Sequence, residues 1–214
     1  MKQNTKKLVL LAMLAAMAYL MVALIRIPVV MFLKYEPKDV IITIGGFLLG
    51  PMAAFVTSLV VSLIEMVTIS DTGIIGAVMN LLSTCAFACT ATYVYKRKHT
   101  LGGAIAGLII GSIAMIAVML LWNYLITPMY MGVARQAVAG MLVPVFLPFN
   151  ALKAGFNSAL ILGLYKPLVS ALRKTGLVDT KPVKGSGVRM GIYLLSAGLL
   201  ATCVLLLLVL RGIL

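Results

Sequence analysis

FLPFNALKAGFNSALILGLY, residues 146–165, is an apolar run long enough to cross a membrane, yet it carries Lys153 at its centre with Asn150 and Asn157 at helical spacing. Residues i, i+3 and i+7 share one helix face, so the segment presents a single polar stripe. An ammonium at mid-helix costs roughly 2.5–3.5 kcal/mol even on the lenient insertion scale, so the stripe must face a bundle interior, a wet cavity or a ligand. Two readings of Lys153 stand side by side: contact with a ligand in a pocket, and an internal ion pair with Glu65 or Asp39. Neither helix capping nor an interfacial belt accounts for it.

The rest of the chain has the same character. Of 214 residues, 63% are hydrophobic and 11% charged, with a mean hydropathy of +1.14, which describes a helical membrane protein. The apolar stretches are continuous and do not alternate with polar residues, so no barrel is indicated. A formal charge of +13 would suit nucleic acid. Its distribution argues otherwise, because Lys2, Lys6 and Lys7, then Lys96, Arg97 and Lys98, then Lys166 to Arg189 flank apolar spans and read as topology signals.

Met1 to Ala23 reads as a first helix rather than a signal peptide, since the apolar run continues to Pro28 with no small-x-small cleavage site. Span one covers about residues 8–27. The segment PVVMFLKYEPKDV follows as a compact polar loop around Pro37. Spans two (40–49) and three (52–69) meet at Gly50-Pro51 in a tight hairpin, the first of them short for a full crossing. Span four (73–95) starts after Ser70-Asp71-Thr72, any of which suits an N-cap. Span five covers 101–126 and stops at Thr127-Pro128. A mixed segment, MYMGVARQAVAGMLVPVFLP, then holds a short surface helix, its prolines arguing against one continuous helix before span six at 149–172. A polar linker at 175–187 leads to a seventh apolar run within 188–214. The fold class is therefore all-α: a polytopic membrane protein with a six-helix domain in 1–174 and an extra C-terminal transmembrane helix.

With the N-terminus in the cytoplasm, the basic clusters fall inside, while Glu36, Asp39, Glu65 and Asp71 fall outside. Asn80, Asn123, Asn150 and Lys153 then lie in the outer halves of their spans, where they can line one outward-facing pocket. Each has a plainer reading: interhelical hydrogen bonding for Asn80, an aromatic belt with Trp122 and Tyr124 for Asn123, a helix cap for Asn150, and solvated loop residues for Tyr35, Glu36 and Asp39. Ala12 and Ala16, extended by Ala15 and Ala23, make a small-residue face on helix one that admits another helix closely, inside the molecule or from a partner. The three cysteines, Cys85, Cys89 and Cys203, read as packing residues, and two thiols without His or carboxylate neighbours make a poor metal site. His99, the one histidine, sits in a basic loop, and no nucleophile constellation, paired carboxylates or P-loop supports catalysis. Internal repeats and intramembrane acid relays of secondary transporters are missing as well.

The ordered set of Ala12-x-x-x-Ala16, LKYEPKDVIITIGGFLLGP, SDTGIIGAVMN, LLWNYLITPMYMG and LPFNALKAGFN resembles the riboflavin-specific substrate-binding (S) components of energy-coupling factor transporters, over about residues 8–174. The resemblance implies a six-helix protein of the bacterial cell membrane that captures riboflavin from outside. It implies a transmembrane coupling subunit and two ATPases as partners, riboflavin as transported ligand, no cofactor and no enzymatic activity. Ala12 and Ala16 map to the docking face. Asn123, Asn150 and Lys153 map to flavin contacts, with Trp122, Asn80 and Asn157 as additions, and Tyr35, Glu36 and Asp39 to a lid. An isoalloxazine edge of carbonyls, ring nitrogens and an imide suits amides and an ammonium, and aromatic walls suit its faces. Flavin mononucleotide, folate and thiamine are the nearest alternative ligands; a membrane enzyme or a structural protein is the farther alternative. The seventh apolar run departs from the six-helix pattern.

Overall fold

The computed structural model describes residues 2–213 except 32, 71 and 175–189. The linker expected at 175–187, with Lys181 and Lys184, and the capping candidate Asp71 lie outside the described residues.

Helix α1 (Lys2–Leu24) leads to a β-hairpin of β1 (Ile27–Val30) and β2 (Leu33–Tyr35). The segment expected to be a plain polar loop is thus an antiparallel ladder pairing Ile27 with Tyr35 and Pro28 with Lys34. Pro28 is tolerated because a two-stranded ribbon is all edge, and the register slips beside it, between Pro28 and Val30. Helices α2 (Lys38–Leu49) and α3 (Pro51–Thr68) meet at Gly50, whose φ of 101° a residue with a side chain rarely adopts. Residues 38–47 of α2 are all buried, which explains its short, all-round apolar sequence: it is an internal helix wrapped by its neighbours.

Helix α4 (Gly73–Thr84) passes through a π-helical turn (Cys85–Cys89) into α5 (Thr90–Lys98) as one run. Thr72 occupies the N-cap position but gives no side-chain cap; Ser70 Oγ accepts from the Thr72 N–H instead. Helix α6 (Leu101–Leu125) follows, capped by Thr100, and a short α7 (Thr127–Met131) turns the chain back.

The sixth span starts earlier than its sequence suggests. Helix α8 (Arg135–Met141), a π-helical turn (Leu142–Phe146) and α9 (Leu147–Lys174) form one helical run through Pro144 and Pro148. A proline removes an N–H and crowds the preceding turn. The wider π turn at Pro144 absorbs that crowding without ending the helix. Asn150 consequently sits inside a helix and is not a cap; its Nδ2 donates to the Phe146 carbonyl at 2.7 Å.

Helix α10 (Met190–Leu210) lies along α9. A Cβ on Gly155 would collide with the Cys203 sulfur, so glycine leaves room for that side chain between the two helices, and Ser196 Oγ donates to the Ala159 carbonyl at 2.7 Å. Among the described residues six helical runs are long and apolar enough to cross a membrane: Asn4–Leu24, Pro51–Thr68, Gly73–Lys98, Leu101–Leu125, Arg135–Tyr165 and Met190–Leu210. This is a multi-pass membrane protein. The main core joins Leu10, Leu14 and Ala18 of α1 to α2, Phe87, Met115 and Ile161. A second apolar cluster seats the hairpin through Val29, Leu33 and Tyr35 on Phe146, Phe149 and Leu152.

Candidate functional site

The hairpin, α3, α4, α6 and α9 enclose a cavity of about 170 Å³. Of the residues singled out from sequence, Glu36, Asn80, Trp122, Asn123, Asn150 and Lys153 line it. Tyr35, Asp39 and Asn157 are not among its lining residues and form a buried network with Lys153.

That network explains how the membrane interior accommodates a lysine. Lys153 Nζ lies 3.2 Å from Asp39 Oδ2 and donates to Ser83 Oγ at 3.3 Å. The Thr84 hydroxyl donates to Asp39 Oδ1 at 2.6 Å, and Asn157 Nδ2 to Asp39 Oδ2 at 3.2 Å. Tyr35 closes the chain by donating to Asn157 Oδ1 at 2.9 Å. Burial, with the nearby Asp39 carboxylate adding to it, pushes the Tyr35 hydroxyl above its ordinary range, so it remains a donor. Both sequence readings of Lys153 thus meet in one residue: its ammonium pairs with Asp39, and the side chain forms part of the cavity wall. Glu65, the other partner considered, binds elsewhere. Asp39 departs from the loop reading, since it sits in the first turn of α2 and is fully buried. Tyr35 is likewise packed rather than solvated, its ring 5.1 Å from that of Phe156.

A second charged cluster escaped the sequence reading. Lys38, 1% exposed, places Nζ 2.7 Å from Glu65 Oε1 and 3.3 Å from Glu36 Oε2. Asn80 Nδ2 donates to Glu65 Oε2 at 2.9 Å, and Arg26 Nε lies 3.0 Å from Glu36 Oε1. Arg26, Glu36, Glu65 and Asn80 all line the cavity, so ion pairs tie the foot of the hairpin to its wall. The PKD triplet at 37–39 looks like surface sequence because Pro37 interrupts any periodicity; nothing local announces that its lysine and its aspartate turn inward.

Across the cavity, Asn123 is fixed within its helix, Nδ2 donating to the Met119 carbonyl at 2.7 Å and Oδ1 accepting from the Thr127 hydroxyl at 2.9 Å. Trp122, Phe149 and Tyr130 supply aromatic wall. Amides, hydroxyls and ion-paired side chains set among aromatic and methionine surfaces make a site suited to a planar organic ligand with hydrogen-bonding edges. Among the described residues no group of three His, Cys, Asp or Glu side chains could hold a metal ion.

The model of the family "ECF transporter, substrate-specific component" matches residues 6–165. The chain belongs to the substrate-specific components of ECF transporters. Membership of this S-component family makes it a transport protein rather than an enzyme. The chain is 29% identical over 182 residues to the riboflavin transporter RibU of Staphylococcus aureus (strain TCH60), covering 80% of this chain and 95% of that protein. It is 27% identical over 162 residues to the riboflavin transporter FmnP of Bacillus subtilis (strain 168), covering 70% and 85%. A solved S component of a bacterial ECF transporter superposes with a TM-score of 0.67 at 29% identity, covering 79% of this chain and 99% of that one. That share leaves about a fifth of this S component outside the superposition.

Outside the cavity, Ala12 and Ala16 are exposed on α1. Ala15, assigned to the same face from sequence, turns inward at 7% exposure, on the side of Leu14 and Ala18.

Proposed function

We propose that this S component binds riboflavin in the cavity between the hairpin and helices α3, α4, α6 and α9, and delivers it to an ECF module that supplies a transmembrane coupling subunit and two ATPases. The observation that carries the reading is the convergence of Trp122, Asn123, Asn150 and Lys153 on one cavity, in a chain whose relatives include proteins named riboflavin transporters. Asn123 and Asn150 offer amide edges to the carbonyls and imide of the flavin, Lys153 a cationic donor, and Trp122 a stacking face. Pockets that hold drug-sized ligands measure roughly 300–1,000 Å³, so the cavity widens on binding, and the hairpin is the wall that yields. Leu33, Lys34 and Glu36 carry the lid role, while Tyr35 and Asp39 support it from behind the wall. Exposed Ala12 and Ala16 face the coupling subunit, and the N-terminus is cytoplasmic.

Riboflavin titration of the purified protein tests this reading. Trp122 is the single tryptophan, so flavin binding is expected to quench tryptophan and flavin fluorescence saturably together. Saturable binding of folate or thiamine with none of riboflavin would replace the ligand. Calorimetric silence toward all three would overturn the binding site.

A further inference from the structure

Helix α10 is tied to the element that closes the cavity. Arg211, at its C-terminal end, reaches the hairpin and donates from Nε at 3.0 Å and from Nη2 at 2.5 Å to the Pro28 carbonyl. Just before it, Leu206, Leu207 and Leu210 pack against the apolar cluster that contains Val29, Leu33 and Tyr35. Leu33 and the adjacent Lys34 belong to the cavity wall. The far end of the helix is held against α9 by Ser196 and by the Gly155–Cys203 approach, so Arg211 is presented from a fixed support.

We propose that α10 is a positioning helix for the hairpin, with Arg211 holding β1 so that β2 stays closed over the cavity. A guanidinium presents several donors in a rigid fork, and both of its bonds here end on one carbonyl, which a lysine could engage with only a single point donor. Pro28 lies where the β-ladder loses register, so the clamp holds the strand where its own pairing is weakest. Opening the hairpin requires breaking both bonds and parting β1 from α10, against the apolar cluster that the two elements share. The consequence for ligand exchange rests on the riboflavin reading above: the clamp slows both escape and entry of the flavin.

Hydrogen–deuterium exchange of the ligand-free protein in detergent tests the clamp without a ligand. In Arg211→Ala, exchange of segment 27–35 should accelerate roughly three- to tenfold, the factor expected for loss of a hydrogen bond, while 101–125 is unchanged; Arg211→Lys should fall between. Flavin release, followed by fluorescence recovery, should accelerate by a similar factor. Unchanged exchange in 27–35 overturns the clamp. Faster exchange with unchanged release overturns the hairpin as the gate. Absence of riboflavin binding by the wild type, with exchange of 27–35 still faster in Arg211→Ala, overturns the ligand assignment alone and upholds the clamp.

Discussion

Lys153 and Asp39 form a pair whose members cannot be removed singly without leaving a buried charge behind. Asp39 is fully buried and accepts from Thr84 and Asn157, so replacing Lys153 with Leu strips the carboxylate of its cation while leaving it in place. Breaking a buried pair from one side costs about 3–5 kcal/mol, whereas replacing both members with apolar residues is often neutral. Lys153→Leu is therefore expected to lower the melting temperature of the ligand-free protein markedly, with Asp39→Leu/Lys153→Leu regaining much of the loss. Equal melting of wild type and Lys153→Leu would show that the pair contributes nothing to the fold and that Lys153 serves the ligand alone. The need for a partner is legible in the sequence, because an ammonium inside an apolar helix cannot stand unpaired. The sequence narrows the partner to Asp39 or Glu65 without choosing between them, because Asp39 is 114 positions away and follows a proline in a segment with the composition of a solvated loop.

At the scale of elements, hydropathy located the long helices and misjudged the joints. The prolines at 144 and 148 point to a break, yet a π turn carries the helix through them, a solution that depends on the surrounding packing and leaves no signature in composition. The hairpin escaped for a related reason. Its strands have four and three residues and turn one apolar side onto α9 and α10, so their stability is tertiary. Helix α1 is better predicted, its Leu10, Leu14, Ala18 and Val22 buried at regular spacing and its Ala12 and Ala16 left outside. A small residue on an outward face of a lipid-embedded helix gains nothing from lipid that leucine would not, whereas it lets a partner helix approach closely. Trp at both positions should abolish ATP-dependent uptake and copurification with a coupling subunit while leaving flavin affinity within about twofold, since neither side chain reaches the cavity. Uptake at the wild-type rate would place the coupling subunit on another face, and a parallel loss of binding would show that α1 acts through the core.

Across the whole molecule, the contacts at one end fix the path of the chain. Arg26 donates to the Ile69 carbonyl at 3.2 Å, joining the end of α1 to the end of α3, and Arg211 joins the end of α10 to the same hairpin. The start of α1, the end of α5 with Lys96, Arg97 and Lys98, and the start of α10 therefore share the opposite end. The orientation proposed above rests on the Lys and Arg clustered at that opposite end, since such clusters favour the cytoplasm. Arg211, like Arg26 and Lys34, is a single basic residue at the hairpin end and belongs to no cluster; it bonds the Pro28 carbonyl. The N- and C-terminal ends should then lie on opposite faces of the membrane. Single-cysteine versions, with Cys85, Cys89 and Cys203 replaced by Ala, make the arrangement measurable in intact cells with a membrane-impermeant maleimide. Ile213→Cys should be labelled, while Asn4→Cys and Lys98→Cys react only after the membrane is permeabilised. Labelling of Asn4→Cys with protection of Ile213→Cys would invert the molecule and turn the cavity toward the cytoplasm, whereas both ends reacting from one face would mean that α10 does not cross and cannot bring Arg211 to the hairpin.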